Sequence, residues 1–224
     1  MKTQKRKKER RVRFGYTRMI VPRPKFEEMI QAQLYPDEFD DVMTAYQQAK
    51  HGHKDQTRRD QMTRYFDHCK GVALIMTIEC NVFLGKPIIG GLLHDIKEGS
   101  FILTWKNILK LFGKDVYRCL RIVTKERGKD YYRGIKNVEA RDWWIIFVKL
   151  ADRLHNVRTL LHQDEAFIRK QLEETERIYP ELIDIFESKL PRRFKYLAKF
   201  FRDELKYACN KVRKSIGMPR TTAF

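Results

Sequence analysis

The chain has 224 residues, 42% of them hydrophobic, and it includes 14 Phe, 10 Tyr and 3 Trp. This composition can form a core and excludes a globally disordered chain. No stretch approaches the roughly 20 uncharged apolar residues that span a bilayer. No apolar segment follows the basic N-terminus, as it does in a secretory signal. We therefore expect a cytoplasmic protein with no membrane partner.

The net charge of +18 is concentrated at the two ends of the chain. Residues 1–13 hold eight Lys and Arg against one Glu, and residues 189–214 hold ten against two acids. Basic runs bind polyanions through counterion release, but they are also often solvated tails. We expect residues 1–14 to be a disordered tail, and the two ends to make at most weak, non-specific contact with nucleic acid. The sequence does not indicate the oligomeric state.

The spacing of apolar residues predicts helices along almost the whole chain. Prolines make residues 15–36 an irregular segment with at most one short helix, and a polar loop is expected at 52–64. Strand-like alternation is nearly absent, which predicts an all-α, irregular helical bundle. The predicted helices are 37–51, 65–83, one that carries PIIGGLLHDIKEG and ends near Gly99, 105–112, 115–124 after a stop at Gly113, 138–162 after a loop at 126–134, 165–186 and 192–216.

Two polar residues interrupt the apolar run in the segment GGLLHDIKEG. The neighbours His94 and Asp95 can offer one imidazole nitrogen and one carboxylate oxygen to a single divalent ion. Glu98 lies four residues after His94, which is about 40° around a helix, so the two side chains share a face. A His-Asp pair alone also occurs by chance, and the pair has weight only together with a second segment.

The second segment is WWIIFVKLADRLHNVRTLL, whose first half is apolar enough to be buried. An unpaired charge on Asp152 would be costly there, so a metal or a basic partner such as Arg153 or Arg158 must balance it. Asn156 and Thr159 follow four and seven residues later. At about 100° per residue, both share the face of Asp152 and extend it as a polar stripe.

From about residue 38 to residue 187 the chain resembles the hydrolase domain of the Rel/SpoT alarmone enzymes, part of the HD phosphohydrolase superfamily. The most specific match is KLADRLHNVRTL, and the first motif is looser, with one extra residue between Gln56 and His68. The matching segments are HKDQTRR (53–59), YFDH (65–68), LLHDIKEG (92–99), VTKE (123–126), KLADRLHNVRTL (149–160) and EETERIYPEL (173–182).

The resemblance implies an HD hydrolase domain at 15–187. The basic C-terminal helix at 188–224 is expected to pack on this domain, because Phe194, Leu197, Phe201, Leu205 and Ala208 form an apolar stripe along one side of it. The implied reaction is metal-dependent hydrolysis of the 3′-pyrophosphate of (p)ppGpp to GDP or GTP and pyrophosphate, with one Mn²⁺ as cofactor. Glu98 is the implied catalytic acid or base. The implied metal ligands are His68, His94, Asp95 and Asp152, and the implied substrate-binding residues are Arg58, Arg59, Tyr65, Asn156 and Thr159.

One departure from the family pattern leaves alternatives open. Gly99 stands where the family has the second acid of a Glu-Asp pair, and that acid helps to position water. An HD phosphohydrolase for another nucleotide, such as an adenine alarmone, NADPH or a nucleoside monophosphate, is one alternative. A catalytically degenerate protein that binds a nucleotide or RNA is the other.

Overall fold

The computed structural model describes residues 21–100, 102–125 and 131–224. These residues form helices and, apart from one isolated bridge between Thr57 and Arg64, no β-structure, which confirms the all-α prediction. No helix in these ranges combines the length and the hydrophobicity needed to cross a membrane. The tail predicted at 1–14 lies outside the described residues. The α-helices are α1 (Arg23–Gln31), α2 (Pro36–Gly52), α3 (Tyr65–Leu74), α4 (Gly85–Leu93), α5 (Ile96–Gly99), α6 (Trp105–Val123), α7 (Tyr131–Lys136), α8 (Trp143–Arg158), α9 (Glu165–Lys189) and α10 (Tyr196–Ser215).

Helices α4 and α8 form the centre of the bundle. Residues 87–93 of α4 are buried without exception, and α4 packs against α2, α3 and α8. The start of α4 is fixed by Glu38 of α2, whose carboxylate accepts a hydrogen bond from the backbone N–H of Gly85 at 3.2 Å. The near-continuous apolar sequences of α4 and α8 follow from this central position, because neither helix has a face in solvent.

An aromatic cluster joins α8 to the two C-terminal helices. The ring of Phe147 in α8 lies 6.2 Å from Phe186 of α9 and 5.8 Å from Phe201 of α10. All three side chains are fully buried, so they also supply much of the apolar contact that holds α10 on the bundle. The division at residues 187 and 188 stays a prediction, and α9 itself runs on to Lys189.

One predicted helix break is confirmed, and one helix that was predicted to be continuous is broken. Gly113 adopts a left-handed φ of 76° within α6, so the predicted stop at this residue is confirmed. The helix predicted to run through PIIGGLLHDIKEG as one piece is interrupted instead. It ends at Leu93, Asp95 adopts φ −100° and ψ 2°, and α5 starts at Ile96. The turn lies at the His-Asp pair and reorients the residues that follow.

Three other predicted boundaries are wrong in detail. The helix predicted over 65–83 changes to a π-turn at Ile75–Glu79, where the backbone N–H of Cys80 bonds the carbonyl of Ile75. The loop predicted over 126–134 gives way to α7 from Tyr131, and 126–130 lie outside the described residues. The helix predicted over 138–162 has 3₁₀ turns at both ends, Ala140–Asp142 and Leu160–His162, as helix termini often do.

A buried ion pair ties the π-turn to the end of α8 and to the middle of α10. Both terminal nitrogens of Arg158 contact the Glu79 carboxylate, at 2.8 and 2.9 Å, and one also contacts Glu204 at 3.0 Å. The side chains of Arg158 and Glu79 are each only 1% exposed. Such a pair must remain complete, since a carboxylate left alone in the interior has lost its solvation without compensation.

We therefore expect Arg158→Met to lower the free energy of unfolding by about 3–5 kcal/mol. Urea denaturation followed by circular dichroism measures this change. The matched control is Lys199→Met, since Lys199 pairs with Asp203 on the surface, where its side chain is 80% exposed, and we expect a change below about 1 kcal/mol. Equal stability of the two variants would contradict a structural role for the buried pair.

Candidate metal centre

Four side chains from α3, the α4–α5 turn and α8 converge at one point. The Nε2 atoms of His68 and His94 lie 3.1 Å apart. Asp95 Oδ2 lies 3.0 Å from the Nε2 of His94 and 3.6 Å from that of His68. Asp152 Oδ1 lies 3.3 Å from His68 and 3.6 Å from His94. The structure thus brings together all four residues that the sequence proposed as ligands.

The Nδ1 atom of each imidazole makes a hydrogen bond on the side away from the centre. Nδ1 of His94 lies 2.9 Å from the carbonyl oxygen of Gly91 and donates to it, because a carbonyl cannot donate. Nδ1 of His68 shares a hydrogen bond with Nδ1 of His155 at 3.0 Å. These bonds orient the Nε2 atoms toward the two carboxylates, as the outer partners of metal-binding histidines do.

His155 has this position because Gly71 leaves room for its ring. A Cβ atom at residue 71 would lie far inside van der Waals contact with Nε2 of His155, and Cδ2 of the ring would be equally close. The His155 ring is buried, and burial together with the neighbouring His68 lowers its pKa well below the ordinary value. His155 is therefore neutral and can act as an acceptor for His68.

Asp152 is balanced by a lysine rather than by the arginines that flank it. Nζ of Lys149 contacts Oδ2 of Asp152 at 2.6 Å, and the amide of Asn156 donates to Oδ1 at 2.6 Å. Burial alone would raise the pKa of Asp152, but the Lys149 ammonium and the two imidazoles hold it well below the ordinary range. Asp152 is thus a carboxylate, with one oxygen facing the imidazoles.

Tyr65 supports the other carboxylate. Its hydroxyl donates to Asp95 Oδ2 at 2.8 Å, and its ring stacks on His53 at a centroid distance of 4.7 Å. His53, which had been assigned to a loop, follows the end of α2 and is 1% exposed. Although burial opposes ionisation, the His94 imidazole and the hydrogen bonds from His68 and His94 keep the pKa of Asp95 well below its usual value.

Two neighbouring cavities lie beside this centre, and both are lined by Arg58, Arg59, Asn156 and Gln171. The carboxylate cavity, about 340 Å³, is also lined by Tyr65, Asp95, Glu98, Lys125, Tyr131, Tyr132, Lys149, Asp152, Arg153 and Glu174. The side cavity, about 250 Å³, is also lined by Asp60, Thr63, His68, His155, Thr159, Leu160, Gln163 and Phe167. We call the four shared residues the waist.

The predicted substrate-binding residues all line these cavities. Arg58 donates to Oδ1 of Asn156 at 2.7 Å, so it is linked through that amide to Asp152. Arg59 lies 4.4 Å above the Phe167 ring and pairs with Asp164 at 3.0 Å. The Thr159 hydroxyl donates to a backbone carbonyl at the end of α8. Their roles toward a substrate stay predictions.

Glu98 stands at the exposed rim of the carboxylate cavity. The backbone N–H of Lys125 donates to its Oε1 at 2.8 Å. Partial desolvation, with the charge of Asp95 adding to it, raises the pKa of Glu98. Glu174, on the opposite wall, is instead bonded by Tyr132 and Arg153, and its pKa is lowered by Arg153 against the effect of burial. Glu98 is the better proton acceptor of the two.

Two further cations of the matching segments do not line these cavities. Arg158 is occupied by Glu79 and Glu204 in the interior. The Lys97 ammonium donates to the carbonyl of Leu103 and lies over the Trp105 ring.

Sequence reasoning missed several residues of the site. Lys149 had a readable signal, since it lies three residues before Asp152 on the same helix. Arg153 and Glu174 lie within two of the matching segments, KLADRLHNVRTL and EETERIYPEL. No motif indicates Tyr131, Tyr132 or Gln171.

A larger cavity of about 510 Å³ lies on another face of the bundle, near Trp143 and Trp144. Its charged residues pair with one another, Lys86 with Asp115 and Arg141 with Asp142. Its lining contains no histidine or cysteine among the described residues. It therefore lacks the donor set that distinguishes the convergence at His94.

The donor set suits a divalent cation. Two imidazole nitrogens and two carboxylate oxygens match borderline first-row ions. His68, His94 and Asp95 each offer one ligand atom, and these three atoms lie within 4.8 Å of one another. Two imidazole nitrogens and two carboxylates that face one point are placed to share a positive charge there.

Comparisons with known proteins agree with this geometry. Residues 45–183 match the family model described as HD domain. The guanosine-3′,5′-bis(diphosphate) 3′-pyrophosphohydrolase of Aquifex aeolicus is 33% identical over 158 residues, which cover 66% of this chain and 22% of that protein. The chain thus spans about a fifth of the length of this relative.

Two smaller proteins are similar over more of their length. The Drosophila melanogaster guanosine-3′,5′-bis(diphosphate) 3′-pyrophosphohydrolase MESH1 is 31% identical over 123 residues, 53% of this chain and 68% of that protein. A solved structure described as a metazoan ortholog of SpoT that hydrolyses ppGpp has a TM-score of 0.59 and 23% identity. It covers 83% of this chain and 99% of its own, and this likeness concerns the fold.

We expect Gly71→Ala to displace His155 and, through it, His68. The variant should lose about 1–3 kcal/mol of stability by overpacking and should bind divalent metal more weakly than wild type. Thermal unfolding and metal titration measure the two effects.

Gly134→Ala in α7 is the matched control, because a Cβ there meets only a side-chain atom of Ile122 at 4.0 Å. It should be as stable as wild type or slightly more stable. Unchanged metal affinity in Gly71→Ala would show that His155 does not support His68.

Proposed function

This chain belongs to the HD-domain family, and we propose that it is a metal-dependent phosphohydrolase that removes the 3′-pyrophosphate of (p)ppGpp. The products are GDP or GTP and pyrophosphate. The observation that carries the proposal is the convergence of two imidazoles and two carboxylates beside a divided, cation-lined cleft. The relatives named as (p)ppGpp 3′-pyrophosphohydrolases support the choice of substrate.

We propose one Mn²⁺ held by His68, His94, Asp95 and Asp152. Mixed nitrogen and oxygen donors favour such an ion over Ca²⁺ or Mg²⁺, which prefer oxygen alone. When bound, the ion supplies a water of lowered pKa and polarises a phosphoryl oxygen. Tyr65 donates a hydrogen bond to Asp95 and Lys149 donates one to Asp152, and these bonds hold the two carboxylates in position.

Glu98 is the proposed general base. Its Oε1 is occupied by the backbone of Lys125, which leaves Oε2 to accept the proton of the attacking water. The raised pKa of Glu98 makes it a stronger base than an ordinary glutamate. We propose that Glu98 alone does this work, and that Gly99 lowers the rate without changing the reaction.

The two cavities support one orientation of the substrate. The side cavity has Leu160 and Phe167 in its wall and suits the nucleoside. The carboxylate cavity contains Asp95 and Asp152 and suits the reacting phosphoryl group. Arg58 and Arg59 lie between the two, where their guanidinium groups can compensate phosphate charge. Asn156 holds Arg58, and Thr159 lines the nucleoside side.

We also propose that nucleic acid contact is weak and non-specific. Several cations of α10 are already paired within the protein, Lys199 with Asp203, Arg202 with Asp184 and Arg213 with Glu176. Such groups release fewer counterions on binding a polyanion than unpaired cations do. The other basic end, residues 1–13, lies outside the described residues.

The proposal predicts that purified protein with Mn²⁺ converts ppGpp to GDP and pyrophosphate, and that Glu98→Gln retains the metal but loses activity. The expected loss in kcat is roughly 10²- to 10⁴-fold, the usual contribution of a positioned general base. Ion-exchange chromatography of the nucleotides and elemental analysis of the protein measure both quantities.

Glu173→Gln on the exposed face of α9 is the matched control and should match wild type. The same assay is run with an adenine alarmone, NADPH and a nucleoside monophosphate. If one of these is hydrolysed while ppGpp stays intact, that nucleotide is the substrate. A protein that carries no metal and leaves every nucleotide intact would be a binder and not an enzyme.

A further inference from the structure

The waist between the two cavities contains one residue without an assigned role. Of its four members, Arg58, Arg59 and Asn156 carry motif support, whereas Gln171 comes from the middle of α9. Gln171 is half-buried and lines both cavities. A side chain in this position borders whatever part of a ligand connects the two cavities.

The orientation of the Gln171 amide is fixed by its neighbour. Its Oε1 lies 2.9 Å from a terminal nitrogen of Arg153, and because a guanidinium offers only donors, the atom that faces it must be the oxygen. Arg153 is itself immobilised, since it pairs with Glu174 at 3.2 Å and lies 4.7 Å over the Tyr179 ring. Gln171 therefore presents its amino group, Nε2, on the side away from Arg153.

The Nε2 group has no hydrogen bond within the part of the chain that the structure describes. Arg58 and Arg59 line the same two cavities. The waist thus combines the donors of two guanidinium groups with that of Gln171. An arrangement of this kind suits an anionic oxygen better than a hydroxyl group, which would need an acceptor.

We propose that Nε2 of Gln171 donates a hydrogen bond to a non-bridging oxygen of the phosphoryl group attached to the ribose. The inference rests on the proposed function, in which the phosphoryl group attached to the ribose is the reacting group. With the nucleoside in the side cavity, this group enters the carboxylate cavity at the waist. Gln171 then determines specificity by distinguishing a nucleotide with a 3′-phosphate from one without it.

The test measures binding, so that it does not depend on turnover. Isothermal titration calorimetry in the presence of Mn²⁺ compares guanosine 3′-monophosphate with guanosine 5′-monophosphate. Gln171→Met removes the donor, while Gln171→Glu keeps the bond from Arg153 and replaces the donor by an anionic acceptor. Lys170→Met, whose side chain is exposed on the same helix, is the matched control.

We expect the 3′-monophosphate to bind roughly 10- to 100-fold more weakly to Gln171→Met than to wild type. Gln171→Glu should be weaker still, because its carboxylate repels the phosphate. The 5′-monophosphate should bind alike to all variants, which a merely structural role of Gln171 would not produce. If Gln171→Met does not fold, the affinities of wild type and Gln171→Glu for the 3′-monophosphate decide, and the inference requires weaker binding to Gln171→Glu.

Three results would overturn the inference alone: wild-type affinity in both variants, equal losses for the 3′- and 5′-monophosphates, or tighter binding to Gln171→Glu than to Gln171→Met. The last would mean that residue 171 meets a hydroxyl. A wild-type protein that fails to bind guanosine 3′-monophosphate would overturn both this inference and the proposed function.

Discussion

The structure depends on the meeting of two imidazoles and two carboxylates in the interior. Each imidazole Nε2 atom lies 3.0–3.6 Å from an oxygen of both carboxylates. Such a meeting is unfavourable without compensation, since buried charge loses its solvation. Lys149 offsets one negative charge through its contact with Asp152. The Nε2 atoms of His68 and His94 face both carboxylates, and a bound cation is a group that all four side chains can share.

The rest of the bundle holds this centre rigid. Helices α4 and α8 are enclosed on nearly all sides, so Asp152 in α8 and the pair His94 and Asp95, which directly follows α4, have little freedom. His155 occupies the space left by Gly71, and Arg158 locks the end of α8 to Glu79 and Glu204. Preorganisation of this kind keeps the ligands in position before any metal or substrate arrives.

The sequence predicted the helical class and the converging residues because these signals are local or belong to a family pattern. Asp152 and Asn156 lie one turn apart, and their hydrogen bond follows from helix geometry alone. The sequence could not predict the bond from Tyr65 to Asp95 or the bond from Arg58 to Asn156. Both join residues far apart in the chain, and only the packing of whole helices brings them together.

The wrong predictions have a similar physical origin. Helix α7 was assigned to a loop because its six residues are too few to show a clear period. The continuous helix expected through His94 and Asp95 is broken there, since periodicity records which residues are apolar and not where the backbone turns. The partner of Asp152 was sought among arginines, yet Arg153 and Arg158 face other helices.

Equilibrium titration of the metal-free protein with Mn²⁺ tests the central claim most directly, with Asp152→Asn measured in parallel. The account predicts one tightly bound ion per wild-type chain and the loss of that binding in the variant, whose helical content should stay the same. A wild-type protein that binds no ion, or a variant that binds it as tightly as wild type, would contradict a metal centre at these four residues.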